Sequence, residues 1–337
     1  MLKQYKKVLV TGGLGFIGTH LVNKLVSLKK EVTIVDNYDT ALHKTIPQGV
    51  TLIEADIRHP QEVAEACKGA ELIFHVAANS NGSISVENPR FDFEVNAIGT
   101  FNVLEGALKA GAKRVLYVAS ASVYGIPQYF PMDEQHPTRP FIPYGASKLM
   151  GELACLSFFH AKRLAVVMAR PFCVYGTGEN PKIALVEVSR YLRWHLNQQP
   201  IQIVGDMKHK TRDFVHVRDV VQGFLLIADK AAAGEVFNIG SGEETSMERL
   251  VDIIGQVTGQ NPRVHQIPQI TKDTYRLVAD ITKIRSLGYT PHVSLTEGIR
   301  ELVQELGEHP ELPSGETIFT EGQQAEKTVK NLQNFPQ

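Results

Sequence analysis

Residues Lys7-Val-Leu-Val-Thr-Gly-Gly-Leu-Gly-Phe-Ile-Gly18 form an apolar run that leads directly into a glycine-rich segment. An amphipathic stretch, Thr19 to Lys29, follows it. A strand, a glycine turn and a helix in this order present a helix N-terminus to a pyrophosphate. Gly13, Gly15 and Gly18 satisfy G-x-G-x-x-G, where side chains would keep phosphates away from the backbone or push the helix off the sheet. The alternative is a purely conformational glycine turn that binds no phosphate.

A second predicted strand, Glu31 to Val35, ends in Asp36. An acidic residue about twenty residues after such a turn is placed to bind the adenosine ribose hydroxyls of a dinucleotide. The same carboxylate would repel a 2′-phosphate, and the segment Asn37-Tyr-Asp-Thr40 offers no arginine to neutralise one. The sequence therefore predicts NAD as the cofactor, in preference to NADP.

The composition is that of an ordinary soluble globular protein, with 337 residues, 43% hydrophobic and 21% charged. A formal net charge of -1 gives no reason to expect nucleic acid or an anionic membrane as a partner. No apolar run approaches the length of a membrane span, and the N-terminus runs directly into the first strand, so no signal peptide is expected. The widely spaced cysteines Cys67, Cys155 and Cys173 predict free thiols in a reducing cytoplasm. The 12 histidines show no metal-ligand spacing, so we expect no metal site.

Short β-branched runs alternate with helical patterns through the first 170 residues. Repeated β-α units predict an α/β fold with a doubly wound parallel sheet of the Rossmann type. We expect residues 1–170 to form the dinucleotide-binding domain, with a further sheet strand from about 235–240. Residues 171–308 are predicted to form a smaller α/β substrate lobe, and residues 309–337 a loosely held polar tail.

A candidate catalytic group follows the predicted strand that ends at Ala119. Ser120 comes directly after it, and Tyr144-Gly-Ala-Ser-Lys148 opens the next predicted helix. Tyr144 and Lys148 are four residues apart and project from the same helix face. A neighbouring ammonium and a cationic nicotinamide ring would favour the phenolate, and Ser120 could hold a substrate hydroxyl near it. The alternative is a solvated helix face without chemistry.

Taken together, these motifs resemble the extended short-chain dehydrogenase/reductase family, especially its nucleotide-sugar epimerases and dehydratases. The resemblance covers roughly residues 5 to 305. It rests on Thr11-Gly-Gly-Leu-Gly-Phe-Ile-Gly18, Asp56-Ile57, His75-Val-Ala-Ala78, Asn96-Ala-Ile-Gly-Thr100, Ser120-Ala-Ser-Val-Tyr-Gly125, Tyr144-Gly-Ala-Ser-Lys148, Arg170-Pro-Phe-Cys-Val-Tyr-Gly176 and Arg212-Asp-Phe-Val-His-Val-Arg-Asp219.

The resemblance implies a role for each matching residue. The catalytic residues would be Ser120, Tyr144 and Lys148. The cofactor-binding residues would be Gly12, Gly15, Phe16, Ile17, Gly18, Asp36, Asn37, Asp56, Ile57, Ala77, Ala78, Asn96, Tyr144 and Lys148. The substrate-binding residues would be Ser120, Ser122, Tyr144, Cys173, Arg212 and Arg276. Among these, Arg212 matches the arginine that binds the nucleotide-sugar pyrophosphate, and a surface ion pair with Asp213 is the alternative for it.

The turn after Ser120 distinguishes the branches of this family. Dehydratases resemble one another in an Asp-Glu pair where this chain has Ala121 and Ser122, and decarboxylating members usually have glutamate in place of Ser122. The resemblance therefore implies epimerisation at C4 of a UDP-linked sugar of the UDP-glucose/UDP-galactose type, through a 4-keto intermediate. The alternatives are a uronate epimerase, a decarboxylase or a net dehydrogenase. A further alternative is a dinucleotide-sensing protein that has lost the chemistry.

Two positions depart from the family pattern, and both concern the substrate. Family members commonly have asparagine where Cys173 stands, and a thiol forms only weak hydrogen bonds. Many epimerases carry arginine at the position of Ile270. In this chain, Arg276 could take over the role of that arginine.

Apolar residues at helical spacing on two segments predict a homodimer. The family pairs these two helices across a two-fold axis, which an isologous interface allows. The alternative is that both stripes pack entirely in the core. The stripes comprise Phe91, Val95, Ile98, Phe101, Leu104 and Leu108 on one helix, and Leu149, Leu153 and Leu156 on the other.

Overall fold

A computed structural model of the chain describes residues 1–42, 45–183, 186–268 and 275–313. In chain order, the strands are β1 (Lys7–Thr11), β2 (Glu31–Asp36), β3 (Thr51–Glu54), β4 (Leu72–His75), β5 (Arg114–Val118), β6 (Val166–Pro171), β7 (Cys173–Tyr175), β8 (Ile201–Val204), β9 (Thr211–Arg212), β10 (Phe214–His216), β11 (Val236–Ile239), β12 (Thr245–Ser246), β13 (Val264–Ile267) and β14 (Arg276–Leu277).

The helices lie between these strands. In chain order, they are α1 (Phe16–Ser27), α2 (Pro60–Ala66), α3 (Gly82–Glu87), α4 (Pro89–Phe93), α5 (Gly99–Ala110), α6 (Pro143–Lys162), α7 (Glu187–Leu196), α8 (Val217–Lys230), α9 (Met247–Thr258), α10 (Thr282–Arg285) and α11 (Leu295–Leu306). A π-helical turn (Glu94–Ile98) joins α4 to α5, and a 3₁₀ turn (Ala121–Tyr124) follows β5. Within the described residues, no helix is both long and apolar enough to cross a bilayer.

The main sheet has seven parallel strands in the order β3-β2-β1-β4-β5-β6-β11. In the centre, Val10 lies opposite Ile34 on one side and Phe74 on the other. All three side chains are buried, because helices cover both faces of the sheet. The predicted doubly wound sheet is confirmed, and the strand predicted near residue 236 joins its edge beside β6.

Each face of the sheet has its own apolar core. On one face, α1 and α8 pack together, and Leu21, Leu25 and Phe224 contribute to a single cluster of buried side chains. On the other face, α2, α5 and α6 pack side by side, with Leu104 and Cys155 in the second cluster. Helix α8 therefore covers the main sheet, although it lies within the C-terminal part of the chain.

The remaining C-terminal elements form a smaller lobe around a third core. Its small sheets pair β7 with β10, β8 with β13, and β9 with both β12 and β14. Helices α7, α9 and α11 enclose a cluster that includes Tyr191, Trp194, Ile203, Leu250 and Ile254. Strand β7 directly follows β6 in the chain. Its pairing with β10 brings one end of this lobe next to the carboxyl edge of the main sheet.

The structure departs from the sequence-based prediction in several elements. The single helix predicted over Phe91 to Ala110 is α4, a π-helical turn and α5, because Asn96 interrupts the regular helix with buried side-chain hydrogen bonds. The helix predicted from Ile183 begins at Glu187 among the described residues. The predicted tail lies outside the described residues beyond position 313.

A buried ion pair joins α6 to the main sheet. Both oxygens of Glu152 accept hydrogen bonds from Arg170, at 2.7 and 2.6 Å, and the Arg170 guanidinium lies 4.7 Å from the ring centre of Tyr124. Both charged side chains are almost completely buried.

We expect Glu152→Ala to lower the free energy of unfolding by about 3–5 kcal/mol, because it leaves the Arg170 charge buried without a partner. Urea denaturation of the purified protein measures the change. The control is Glu65→Ala, which removes an exposed ion pair with Lys68 and should change stability little. Equal effects of the two substitutions would contradict the assigned role of the buried pair.

Candidate active site

The turn between β1 and α1 brings two backbone segments into direct contact. Gly12 has φ of +70°, in the left-handed region that favours glycine. A Cβ atom on Gly18 would overlap the carbonyl oxygen of Gly12, and one on Gly13 would lie 2.7 Å from Ile34. The turn therefore depends on glycine at these positions.

The N-terminus of α1 opens onto the carboxyl edge of the sheet. Gly15 is its N-cap and provides no side-chain hydrogen bond, and Phe16 and Ile17 begin the helix. The first turn contains no acidic residue. No carboxylate of this turn therefore competes with a ligand for its N–H groups and for the positive end of the helix dipole. This arrangement suits a phosphate group.

A cavity of about 400 Å³ lies beside this turn at the carboxyl ends of β1, β2 and β4. The loop after β7 also contributes to it, through Asn180, Lys182 and Ile183. The predicted cofactor residues that do not line this cavity are Gly15, Phe16, Ile17, Gly18, Asn96, Tyr144 and Lys148. The predicted cofactor residues that line it are Gly12, Asp36, Asn37, Asp56, Ile57, Ala77 and Ala78.

The Asp36 carboxylate is held in place at the floor of this cavity. It accepts hydrogen bonds from the backbone N–H groups of Leu14 (2.9 Å) and Tyr38 (2.8 Å). Burial raises its pKa, while these two backbone donors act in the opposite direction. A fixed acceptor here, with the N-terminus of α1 nearby, fits the ribose and the pyrophosphate of a dinucleotide.

Asp56 is fixed by an arginine that the sequence analysis did not single out. The Arg58 side chain binds both carboxylate oxygens of Asp56, at 3.0 and 2.6 Å, and Asn37 donates a longer bond of 3.2 Å. The hydrogen bonds from Arg58 lower the pKa of Asp56 to about 2. The Asp56 side chain is therefore an anion with a defined orientation at the cavity wall.

The predicted catalytic residues lie where β5 ends and α6 begins. Ser120 caps the 3₁₀ turn after β5: its Oγ accepts a hydrogen bond from the Ser122 N–H (3.1 Å) and donates one to the Ser122 Oγ (3.0 Å). Tyr144 follows Pro143 in the first turn of α6 and is half-buried. Lys148 lies one turn further and donates a 2.7 Å hydrogen bond to the carbonyl oxygen of Val118.

The ionisation of Tyr144 and Lys148 is governed by burial. Burial raises the pKa of Tyr144, Asp92 raises it further, and a hydrogen bond with Ser120 acts to lower it. The phenol is therefore protonated at neutral pH in the protein alone. Burial lowers the pKa of Lys148 from 10.5 to about 8, against the attraction of Asp92 and Glu152. A proton acceptor at Tyr144 thus requires additional positive charge beside the ring.

Arg212 lies in the smaller lobe, and its closest described acidic neighbour is not Asp213. Its Nε lies 3.4 Å from Glu187 Oε1, and its Nη1 donates to the carbonyl oxygen of Thr211. The Asp213 carboxylate accepts hydrogen bonds from Ser241 and from the N–H of Gly242. Arg212 is therefore buried beside a carboxylate that the sequence analysis did not identify.

Glu187 lies among several basic side chains. Burial would raise its pKa, but the charges of Arg212, Arg190 and Lys210 hold it at about 2. Cys173 is near the same group: burial and the Glu187 charge raise the pKa of its thiol, which stays neutral. Among the described residues of this group the cations outnumber the carboxylates, so the group is suited to a diphosphate.

Arg276 lies on β14, next to the strand that carries Arg212, with Arg276 opposite Thr211. Its guanidinium makes two 2.7 Å hydrogen bonds to Glu244 and lies 4.1 Å from the ring centre of Phe130. The structure thus brings Arg276 close to Arg212 in the lobe, but engages its charge with Glu244. Ile270 lies outside the described residues. Within the described residues, no group of three His, Cys, Asp or Glu side chains could hold a metal ion.

Comparisons with known proteins agree with this arrangement. The model of the NAD-dependent epimerase/dehydratase family matches residues 8–240. A UDP-glucose 4-epimerase from Mycolicibacterium smegmatis is 33% identical over 308 residues, covering 88% of this chain and 97% of the relative. A UDP-N-acetyl-alpha-D-glucosaminuronate decarboxylase from Bacillus cytotoxicus is 29% identical over 314 residues, covering 89% and 97%.

A solved structure shows the same likeness in three dimensions. The crystal structure of a UDP-glucose 4-epimerase with UDP-glucose, from Thermotoga maritima, superposes with a TM-score of 0.84 at 31% identity. The match covers 89% of this chain and 98% of that one. The sequence-based expectations of a Rossmann sheet and of NAD as the cofactor are confirmed. The chain belongs to the NAD-dependent epimerase/dehydratase family.

Proposed function

We propose that this protein is an epimerase that interconverts the C4 epimers of a UDP-linked sugar of the UDP-glucose/UDP-galactose type. The observation that carries the proposal is the chemistry of the turn after β5. It provides the hydroxyl of Ser120, which interacts with the phenol of Tyr144, and the hydroxyl of Ser122, but no carboxylate. Such groups can move one proton at one carbon, whereas eliminating water requires an additional acid and base. Relatives named UDP-glucose 4-epimerase support the choice of sugar nucleotide.

In the proposed reaction, Ser120 holds the O4 hydroxyl of the sugar against Tyr144. When bound, NAD supplies a cationic ring that accepts the hydride from C4 and later returns it. Tyr144 takes the O4 proton as the hydride leaves and gives it back after the 4-keto sugar has turned over in the pocket. The positive charge of Lys148, one helical turn away, favours loss of the phenol proton of Tyr144.

The smaller lobe would hold the rest of the substrate. Arg212, with Arg190 and Lys210 near Glu187, forms the cationic group suited to the diphosphate. Cys173 follows the carboxyl end of β6 by two residues, and the charges of Glu187 and Arg212 act on its thiol. This division lets the sugar rotate while the nucleotide stays bound.

The experiment that tests the proposal is turnover of a panel of UDP, dTDP, GDP and CDP sugars, including UDP-glucuronate, analysed by chromatography. We expect UDP-glucose and UDP-galactose to interconvert without a rise in reduced-nicotinamide absorbance. A steady rise in that absorbance, or loss of carbon dioxide from the uronate, would favour a dehydrogenase or a decarboxylase. Absence of turnover with every sugar would favour a dinucleotide-sensing protein.

Tyr144→Phe should reduce turnover by at least about 10²-fold, because it removes a general acid–base group while keeping the volume of the ring. Cofactor binding and the melting temperature should change little. The control is Tyr129→Phe, which removes an exposed hydroxyl bound to Asp133 and should retain activity. Near-normal turnover of Tyr144→Phe would refute the proposed mechanism.

Asp36→Ala should reduce the preference for NAD over NADP by at least about tenfold, because the fixed carboxylate no longer repels a 2′-phosphate. Titration of the cofactor-free protein with both cofactors measures the ratio. The control is Asp39→Ala, which removes an exposed carboxylate from the same cavity wall and should preserve the ratio. A wild-type protein that prefers NADP would overturn this assignment.

The homodimer remains a proposal, and exposed apolar side chains support it. Ile98 and Phe101 are 53% and 43% exposed beside α5, and Met150 and Leu153 are 45% and 58% exposed on the adjacent helix α6. Leu104, from the same predicted stripe, is instead buried in the core. Contiguous exposed apolar surface of this kind is typical of an interface, and these helices can pair across a two-fold axis.

We expect light scattering to give the mass of a dimer at micromolar concentration. The double variant Phe101→Glu/Leu153→Glu should give a monomer, because it places charges in the proposed interface. The control is Val264→Glu, which adds a charge at an exposed apolar site on β13 and should leave the mass unchanged. A monomeric wild type would rule the dimer out.

A further inference from the structure

Asp92 is a completely buried carboxylate to which the sequence analysis gave no role. It lies on the short helix α4 and accepts three side-chain hydrogen bonds. Its Oδ1 accepts from Asn79 Nδ2 at 2.6 Å and from Asn96 Nδ2 at 3.0 Å. Its Oδ2 accepts from Ser147 Oγ at 2.5 Å. Burial raises the pKa of Asp92, while the hydrogen bonds from Ser147 and Asn79 and the charge of Lys148 act to lower it.

The three donors come from three different parts of the site. Asn79 lines the cofactor cavity after β4, Asn96 lies in the π-helical turn, and Ser147 directly precedes Lys148 on α6. The donors are also bonded to one another: Asn96 accepts from the Asn79 N–H at 2.9 Å and donates to Ser147 Oγ at 3.1 Å. Asp92 therefore fastens the cofactor-binding loop to the turn of α6 that carries Lys148.

Two buried carboxylates, Asp92 and Glu152, act on Lys148, and Glu152 is already paired with Arg170. Glu152 lies one turn beyond Lys148, and the guanidinium of Arg170 binds both of its oxygens. Its negative charge is therefore largely compensated. The described hydrogen bonds to Asp92 all come from neutral donors, and its charge acts to raise the pKa of Lys148.

The other titratable groups around Lys148 are neutral. Burial and the Lys148 charge lower the pKa of His75 to about 3, so the imidazole is uncharged at neutral pH. Burial raises the pKa of Tyr117, whose ring centre lies 5.0 Å from Lys148 Nζ, and of the Cys155 thiol. Tyr144 is a protonated phenol in the protein alone.

We propose that Asp92 is a positioning residue that acts through Lys148: its buried carboxylate keeps Lys148 charged and anchors the helical turn that presents it. The importance of this charge for catalysis rests on the proposed function, whereas the charge itself can be measured without substrate. Burial is already the largest influence on the pKa of Lys148, so removing a carboxylate that raises this pKa favours the neutral amine.

The test follows the ionisation of Lys148 by NMR in NAD-bound protein labelled with ¹³C at lysine Cε, with the signal assigned by its absence in Lys148→Met. We expect Lys148 in the wild type to titrate below the usual range of lysine, because its side chain is buried. Asp92→Asn keeps the side-chain volume and removes the charge. It should lower the midpoint by about one pH unit or more, a tenfold or larger fall in the ratio of charged to neutral lysine. An unchanged midpoint would overturn the proposal.

Ser147→Ala is the matched control, because it removes one hydrogen bond from the same carboxylate and keeps its charge. The Lys148 midpoint should stay at its wild-type value, and a fall equal to that of Asp92→Asn would overturn the assignment to charge. If Asp92→Asn does not fold, the carboxyl ¹³C signal of Asp92 in the wild type decides. An ionised group at pH 8 supports the proposal, and a protonated one overturns it.

The pH dependence of turnover tests whether the charge of Lys148 contributes to catalysis. If the protein epimerises a sugar nucleotide, the basic limb of its pH profile for kcat/KM should move to lower pH in Asp92→Asn, since neutral Lys148 no longer favours the phenolate. Failure to find any epimerisation would refute the proposed function and leave the NMR result intact. A shifted lysine midpoint with an unmoved basic limb would overturn the catalytic part of the proposal.

Discussion

Every strand of the main sheet runs in the same direction, and the site depends on this constraint. Carboxyl ends of parallel strands converge on one edge, so residues far apart in sequence become neighbours there. The glycine turn follows β1, Asp36 ends β2, Ala77 follows β4, and Ser120 follows β5. The central strands can be buried on both sides because their side chains are almost all apolar. The polar groups of the candidate site are left for the edge.

Several charged side chains are buried near that edge. Lys148 and Glu152 lie on α6, Arg170 on β6 and Asp92 on α4, and all four side chains are buried. Isolated buried charges are costly, so each carries hydrogen bonds or a partner of opposite sign. The result is a lysine whose charge responds to its surroundings near physiological pH, beside a tyrosine that stays protonated in the protein alone. Under the proposed function, binding of a cationic cofactor ring would favour the phenolate of Tyr144.

Local patterns in the sequence were sufficient to predict the parts of the site that lie on single elements. The turn from β1 to α1 has its glycines where backbone segments touch, and Tyr144 and Lys148 share a helix face at a spacing of four. The strand near residue 236 also has a recognisable apolar pattern. Each of these features depends on residues close together in the chain.

The features that could not be predicted depend on contacts between distant segments. Nothing near Asn96 in the sequence signals the π-helical turn, which is tied to Asn79 and Ser147. Glu187 becomes a partner of Arg212 only through the packing of α7 against the lobe. Arg276 was expected at the substrate, and its engagement with Glu244 rests on two strands of two residues each, too short to leave a periodic pattern.

The proposed function requires that one carbon of a sugar nucleotide is oxidised and reduced again within a single active site. The most direct measurement uses UDP-glucose carrying deuterium at C4, with the product analysed by mass spectrometry and NMR. Transient oxidation at C4 should give UDP-galactose that retains the deuterium at C4, with no solvent hydrogen at that carbon. Loss of the label to solvent, or a product in which any other carbon has changed, would contradict the account.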